Sequence, residues 1–241
     1  MMKGIKGVGF QHNFGDDRNY VRTTYGTFDG QWAYLFLNSR VDEPMDRFGG
    51  GIRVQGATDD LTVGANFAQV ADRAGDSKRG TSNVYRQILP AFDWEYRSAG
   101  MVLSGEHAFS RTRLLPYAST SQSLRGSANR IVFRGRFRAF SLNGNVEQVT
   151  SNFITLGGGA TPDRVRYNAR ADWRLDRQWQ LFGNYDQFYN NLSKQLSTRT
   201  RYETTEAGII RRHLFGSRAS ALTISARSRS KLTDDGSSTG R

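Results

Sequence analysis

The chain contains no cysteine and only 4 prolines among its 241 residues. Without cysteine, disulfides, thiolate metal sites and cysteine nucleophiles are all excluded. With so little proline, long strands would meet few breaks in their main-chain pairing. Long apolar runs are missing too. No window approaches the ~18 consecutive apolar residues of a transmembrane helix, and the mean hydropathy is -0.62. This excludes a helical span but not a barrel, whose alternating signal averages away in such a scan. Lysine is limited to Lys3, Lys6, Lys78, Lys194 and Lys231, so the net charge of +12 is nearly all arginine.

A sequence pI near 10.3 invites a nucleic-acid reading. The arginines, however, are spread at alternate positions and form no basic tail or helix, so no nucleic-acid partner is expected. The pattern is clearest over residues 164–175. There Val165, Tyr167, Ala169, Ala171, Trp173 and Leu175 alternate with Arg164, Arg166, Asn168, Arg170, Asp172 and Arg174. Strict alternation over a dozen residues has the period of a strand. After Asp176-Arg177-Gln178 it resumes with Trp179, Leu181, Gly183 and Tyr185 on one face. Soluble strands usually run about 5–6 residues, whereas runs of about 10–12 suit a strand crossing a bilayer at roughly 45°. The apolar face, rich in Ala, Gly, Tyr and Trp, is also poor material for a dense core.

The same reading predicts strands over about 4–14, 20–28, 31–38 and onward to 218–229, about thirteen in all. Asp29-Gly30 is a strong hairpin signal and would set Thr27 against Trp32. Apolar faces also agree across Ala57-Thr58-Asp59-Asp60, Arg97-Ser98-Ala99-Gly100 and Arg138-Ala139, where a one-residue slip would exchange them. Between these hairpins lie longer links at about 39–47, 71–82, 110–127, 151–163 and 190–198. Alternation of short and long connections is the asymmetry of outer-membrane barrels. Two stretches fit less well: Pro90 falls inside a strand, and 199–213 shows no clean face. The fold expected is therefore all-β, a single antiparallel up-and-down transmembrane β-barrel domain over 1–241. Both ends read as cut, with no signal peptide before the first strand and no closing aromatic strand at the end, as in part of a larger barrel.

All four tryptophans, Trp32, Trp94, Trp173 and Trp179, fall on the apolar face within a few residues of a short turn. That placement predicts an interfacial aromatic girdle. Candidate chemistry is otherwise thin. His12, His107 and His213 are too scattered for a metal centre, and His107 belongs to an apolar face. Gly157-Gly158-Gly159 lacks the Gly-Lys-Ser/Thr ending of a phosphate loop. Gly49-Gly50-Gly51 reads as a bulge or a close approach between strands. No catalytic, metal or cofactor site is expected, and no enzyme activity.

One constellation remains. Arg130, Arg134, Arg136 and Arg138 share one face of a strand, and Arg164, Arg166, Arg170 and Arg174 share a face two strands on. With Glu147, Asp172 and Asp186 as partners they would make an internal ion-pair network. Left unneutralised they would line a pore that favours anions.

In these strands, hairpins and aromatics the chain resembles bacterial outer-membrane β-barrels as a class. The run Arg-Tyr-Asn-Ala-Arg-Ala-Asp-Trp-Arg-Leu is similar in style to large barrels that sheath periplasmic multihaem cytochromes. The resemblance implies a Gram-negative outer membrane, with the lipid bilayer as partner, and either anionic solutes or a periplasmic protein within. It implies a porin-like channel or sheath with an arginine-rich lumen, a passive conduit or scaffold. The alternative is a surface receptor binding ligands through its long loops, such as a fragment of a TonB-dependent receptor barrel.

Overall fold

The structure is a computed structural model that describes residues 7–28, 47–72, 84–115, 122–154, 161–194, 197–217 and 220–235. Twelve strands lie among them: β1 (Gly7–Gly15), β2 (Tyr20–Phe28), β3 (Arg47–Ala57), β4 (Leu61–Asp72), β5 (Val84–Ser98), β6 (Met101–Leu115), β7 (Gln122–Phe137), β8 (Phe140–Val149), β9 (Arg164–Arg174), β10 (Trp179–Asn190), β11 (Thr198–Arg212) and β12 (Ala221–Asp235). Each pairs with its sequence neighbours, giving one all-β, up-and-down sheet in the order β1 to β12. Among the described residues helix is limited to a single 3-10 turn, Leu214–Gly216.

The short connections follow the odd-numbered strands, and local chemistry fixes each one. Asp16 accepts hydrogen bonds from the main-chain N–H of Arg18 and Asn19, and Gly15 turns the chain at φ 111°. Thr58 closes the β3–β4 turn by accepting from the Leu61 N–H. Gly100, at φ 79°, makes the two-residue turn between β5 and β6. Asp176 caps the β9–β10 turn through the N–H groups of Gln178 and Trp179. Positive φ at Gly15 and Gly100 needs glycine, because a Cβ there would meet backbone.

Several expectations change. The strand expected over 31–38, with Trp32, lies outside the described residues, as does the Gly157–Gly159 run. Thr27 opposes Val8 on one side and Phe48 on the other, so the expected pairing of Thr27 with Trp32 is not made. Both edges of β2 are filled, and the described residues hold twelve strands where about thirteen are expected for the whole chain. The long polar link expected over 110–127 is mostly strand, because β6 continues to Leu115 and β7 starts at Gln122. β5 runs unbroken through Pro90, whose ring lies on the exposed face. The glycine run in β3 is a close approach: a Cβ on Gly50 would sit 2.8 Å from the Thr24 carbonyl, and one on Gly51 2.8 Å from the Phe67 carbonyl.

By contact the chain forms two compact units. One is Met1–Trp94, Glu106–Asn129 and Val149–Pro162; the other is Glu95–Gly105, Arg130–Gln148 and Asp163–Arg241. In the first, the buried apolar residues Leu89, Ala108, Ala128, Val149 and Phe153 cluster together. The second holds no comparable cluster among the described residues.

Candidate functional site

On β3, β4 and β5 the apolar face is the more exposed one, whereas on β7 Arg130, Arg134 and Arg136 are exposed as well and on β10 neither face stands out. Phe10 is 77% exposed, Ile224 61%, Phe109 56% and Trp173 52%. On the opposite face the carboxylates are better shielded, Asp172 at 17% and Glu206 at 15%, while their partners Arg170 and Arg227 remain 49% and 48% exposed. A protein folded in water buries its apolar face, and contiguous exposed apolar surface of this extent marks an interaction site. The arrangement is inverted, and the face bearing charge is the candidate functional surface.

In the second unit, register lays the charged face out in rows. Arg166 opposes Phe188, which opposes Tyr202, which opposes Lys231. Two residues further, Asp186 opposes Thr204 and Asn168; beyond that Arg170, Asn184, Glu206 and Arg227 align. Arg166 grips Asp186 through two hydrogen bonds of 2.9 Å. Arg170 holds Asp172 at 2.9 and 3.0 Å, and Gln180 also donates to Asp172. Arg227 pairs with Glu206 at 2.9 Å. Each pair is partly solvated, so each contributes little to stability. Together they engage Asp186, Asp172 and Glu206, while Glu147 forms no ion pair among the described residues.

The eight arginines expected to line a lumen all fall in this unit, and they divide. Arg166 and Arg170 are ion-paired, and Arg130 donates to Asn145 at 3.2 Å. Arg164 lies over the Phe188 ring at 5.4 Å. Arg134, Arg136, Arg138 and Arg174 make no side-chain hydrogen bond or ion pair among the described residues. Arg138 occupies the turn, at φ 43°. Two of the eight, Arg166 and Arg170, thus have carboxylate partners, and the other six form no ion pair among the described residues. Strand β11, which shows no clean face in sequence, stays mixed in register, with Ile210 on the charged face and Arg201 and Glu203 on the other. Tyr202, Thr204 and Glu206 share the charged face, while Ile209 and Arg211 share the other with Trp179.

Sequence reasoning missed the aromatics on this face. Phe188 stacks on Tyr202 with centroids 4.7 Å apart, Arg164 covers Phe188, and Lys231 covers Tyr202 at 5.5 Å. Cation and ring faces attract in this geometry. The alternation of Phe188 with Tyr189 would have placed Phe188 among the polar residues.

In the first unit the charged face holds one dense polar knot. Arg53 bonds Asp93 at 2.6 and 2.9 Å, and also Asn66 and the Tyr20 hydroxyl. Further along the same face, the segment after β8 folds onto the sheet. Phe153 is 1% exposed against Leu89, Ala108, Ala128 and Val149. Gln87 donates to the Ile154 carbonyl and to Thr112, Ser110 accepts from the Ile154 N–H, and Thr150 bonds the Ser127 main chain. Gly126 makes room, since a Cβ there would lie 2.2 Å from the Phe153 nitrogen. The sequence signal was a Phe-Ile pair inside a polar link.

Trp94, Trp173 and Trp179 lie near the short-turn ends of β5, β9 and β10, on the apolar face of their strands; Trp32 is outside the described residues. Arg211 covers the Trp179 ring at 5.1 Å. Of the histidines, His12 sits between Phe10 and Phe14 on the exposed face, His107 bonds Asn129 at 2.6 Å, and His213 starts the β11–β12 turn. Among the described residues no group of three or more His, Cys, Asp or Glu converges as a metal site would need.

No protein-family model matches the chain. No curated protein matches it either. Among solved structures it is similar to the Pseudomonas putida toluene transporter TodX, at 9% identity and a TM-score of 0.30, over 95% of this chain and 83% of that one. The TodX deltaS2S3 mutant, a monoaromatic hydrocarbon channel, aligns at 10% identity and a TM-score of 0.30, over 95% and 81%.

Proposed function

We propose that this sheet is the wall of an outer-membrane β-barrel, a porin-like channel or sheath whose charged face lines an arginine-rich lumen. The observation that supports it best is the inversion: large apolar side chains exposed, and carboxylates of the other face shielded and held by arginines. On β5 the exposed apolar side chains run from Ile88 to Tyr96, and on β6 Phe109 is exposed with Met101 and Leu103 half-buried on the same face. About nine residues at ~3.3 Å each, tilted ~45°, rise roughly 20 Å, close to the ~25 Å lipid-facing band of such barrels. No described helix is long and apolar enough to cross a membrane, so crossing falls to the strands.

Within the wall, arginines without carboxylate partners give the lumen a positive field that favours anions. Exposed on the opposite face near the midplane, each would cost about 2–4 kcal/mol. Passive passage of small anions follows from this lining. A sheath holding a periplasmic partner would use the same wall.

Planar-bilayer recording on the reconstituted chain tests the reading. A channel gives conductance steps with a reversal potential displaced toward the anion. A sheath inserts stably with no steps until its partner is removed or added. A chain that never inserts, or that conducts cations preferentially, overturns the proposal.

A further inference from the structure

Beyond the apolar band, on the same exposed face, arginines cluster on three successive strands of the first unit. Arg86 lies two residues past Ile88 on β5. Arg111 and Arg113 follow Phe109 on β6, and Arg125 lies on β7; all four are exposed. Counting back from the two-residue turn at Ala99-Gly100 sets Arg86 opposite Arg113, a register that the Gln87–Thr112 hydrogen bond supports. The bonds from Arg136 to the Gly100 carbonyl and between His107 and Asn129 share one register on the next pair of strands. That register sets Arg125 opposite Arg111. Like charges directly opposite on a sheet face repel and destabilise the pairing. No carboxylate lies at this level of that face among the described residues, and neither Arg111 nor Arg125 forms an ion pair there.

Two opposed guanidiniums without ion pairs, those of Arg111 and Arg125, set just past a lipid-facing band, present a site for an external anion. We infer that this patch binds the phosphate groups of lipid headgroups in the leaflet at the long-link end, Arg111 and Arg125 being its centre. The inference rests on the membrane reading above, which puts this end of the strands at a bilayer surface. Guanidinium forks match phosphate oxygens in two-point hydrogen bonds, and a phosphate between two arginines turns their repulsion into attraction. In the barrel asymmetry the long-link end faces outward, so the occupant is a phosphorylated glycolipid of the outer leaflet, which carries the net negative charge that a zwitterionic phosphatidylcholine headgroup lacks, not a free ion.

The test uses the full chain folded into phosphatidylcholine vesicles with and without lipid A, a diphosphorylated glucosamine lipid. Lipid A should raise the unfolding temperature of the wild type and be retained through detergent extraction. In an Arg111→Gln, Arg125→Gln variant, retention should fall by roughly thirty-fold, the combined effect of two basic residues at an anionic surface. Without lipid A the same variant should unfold at the wild-type temperature or above it, because the repulsion is gone. A variant carrying lysine at both positions should recover part of the retention. An equal lipid A response in wild type and variant overturns the inference while leaving the barrel intact. So does inorganic phosphate reproducing the effect in plain phosphatidylcholine. A chain that enters neither vesicle overturns the membrane reading and this inference with it.

Discussion

Gly126→Ala should release the segment that folds onto the charged face of the first unit. The added Cβ would lie 2.2 Å from the Phe153 nitrogen and 2.4 Å from its Cα. Both are backbone atoms, so no side-chain rotation relieves the clash. Releasing the segment gives up the burial of Phe153, a change that costs about 3–5 kcal/mol when such a ring is removed from packed surroundings. It also gives up the bonds at Ile154 and Thr150, each a net ~1 kcal/mol. The alanine itself leaves the strands paired, so the loss stays local, as opening of one segment does. With about 3 kcal/mol of protection lost, the Phe153 and Ile154 amides, bonded to the Thr150 carbonyl and the Ser110 hydroxyl, should exchange roughly a hundredfold faster. Hydrogen exchange read by mass spectrometry measures this directly, and Phe153→Ala should act in the same direction. Unchanged protection at Phe153 and Ile154 in the Gly126→Ala protein would refute the packing described.

Replacing Asp93 with Asn should strand Arg53 among polar neighbours and cost about 1–2 kcal/mol, the pair being only partly shielded; a double-mutant cycle with Arg53→Met should show coupling of that size in urea unfolding. Hydrogen bonds from the Asn19 and Arg18 N–H groups hold the Asp16 carboxyl below the usual carboxylate range. Its contribution to the β1–β2 turn is thus complete above the unfolded value near ~4 and fades as pH falls through the lowered one. An Asp16→Asn protein should accordingly lose acid sensitivity over that interval in a pH series of unfolding midpoints. Replacing Arg134, Arg136 and Arg174 with Ser should move the reversal potential toward zero in a salt gradient, with insertion unchanged. Brominated lipids should quench Trp94, Trp173 and Trp179 most strongly when the bromine lies near the headgroups; deep quenching of two of them would remove the girdle.

The faces were legible in the sequence because a period of two survives any loop length: Ile52, Val54, Leu61, Val63 and Phe67 declare their side without a structure. Local turns were legible too, since Gly100 and Asp176 carry the chemistry their turns need. Pairing across long links was not. Nothing near Phe28 announces that it will oppose Arg47, and the Asp29-Gly30 signal pointed elsewhere. The far ends of β6 and β7 were lost for a different reason. There the exposed face changes from Phe109 to Arg111 and Arg113 while the shielded face becomes Ser110 and Thr112, so hydrophobic alternation vanishes although the strand continues. The charged face was half legible. Periodicity assigned the arginines to it, but Phe188 and Tyr202 were invisible there because aromatics count as apolar wherever they fall. Phe153 was hidden because one aromatic in a polar link has no period.

Since the chain has no cysteine, single cysteines placed one at a time from Leu61 to Phe67 and spin-labelled would report each position without background. The account requires oxygen, which concentrates in lipid, to relax labels at 61, 63, 65 and 67. A water-soluble nickel chelate should relax those at 62, 64 and 66, in strict alternation in reconstituted vesicles. Labels that all meet the chelate, or the opposite alternation, would contradict the claim that the apolar face of this sheet lies against lipid.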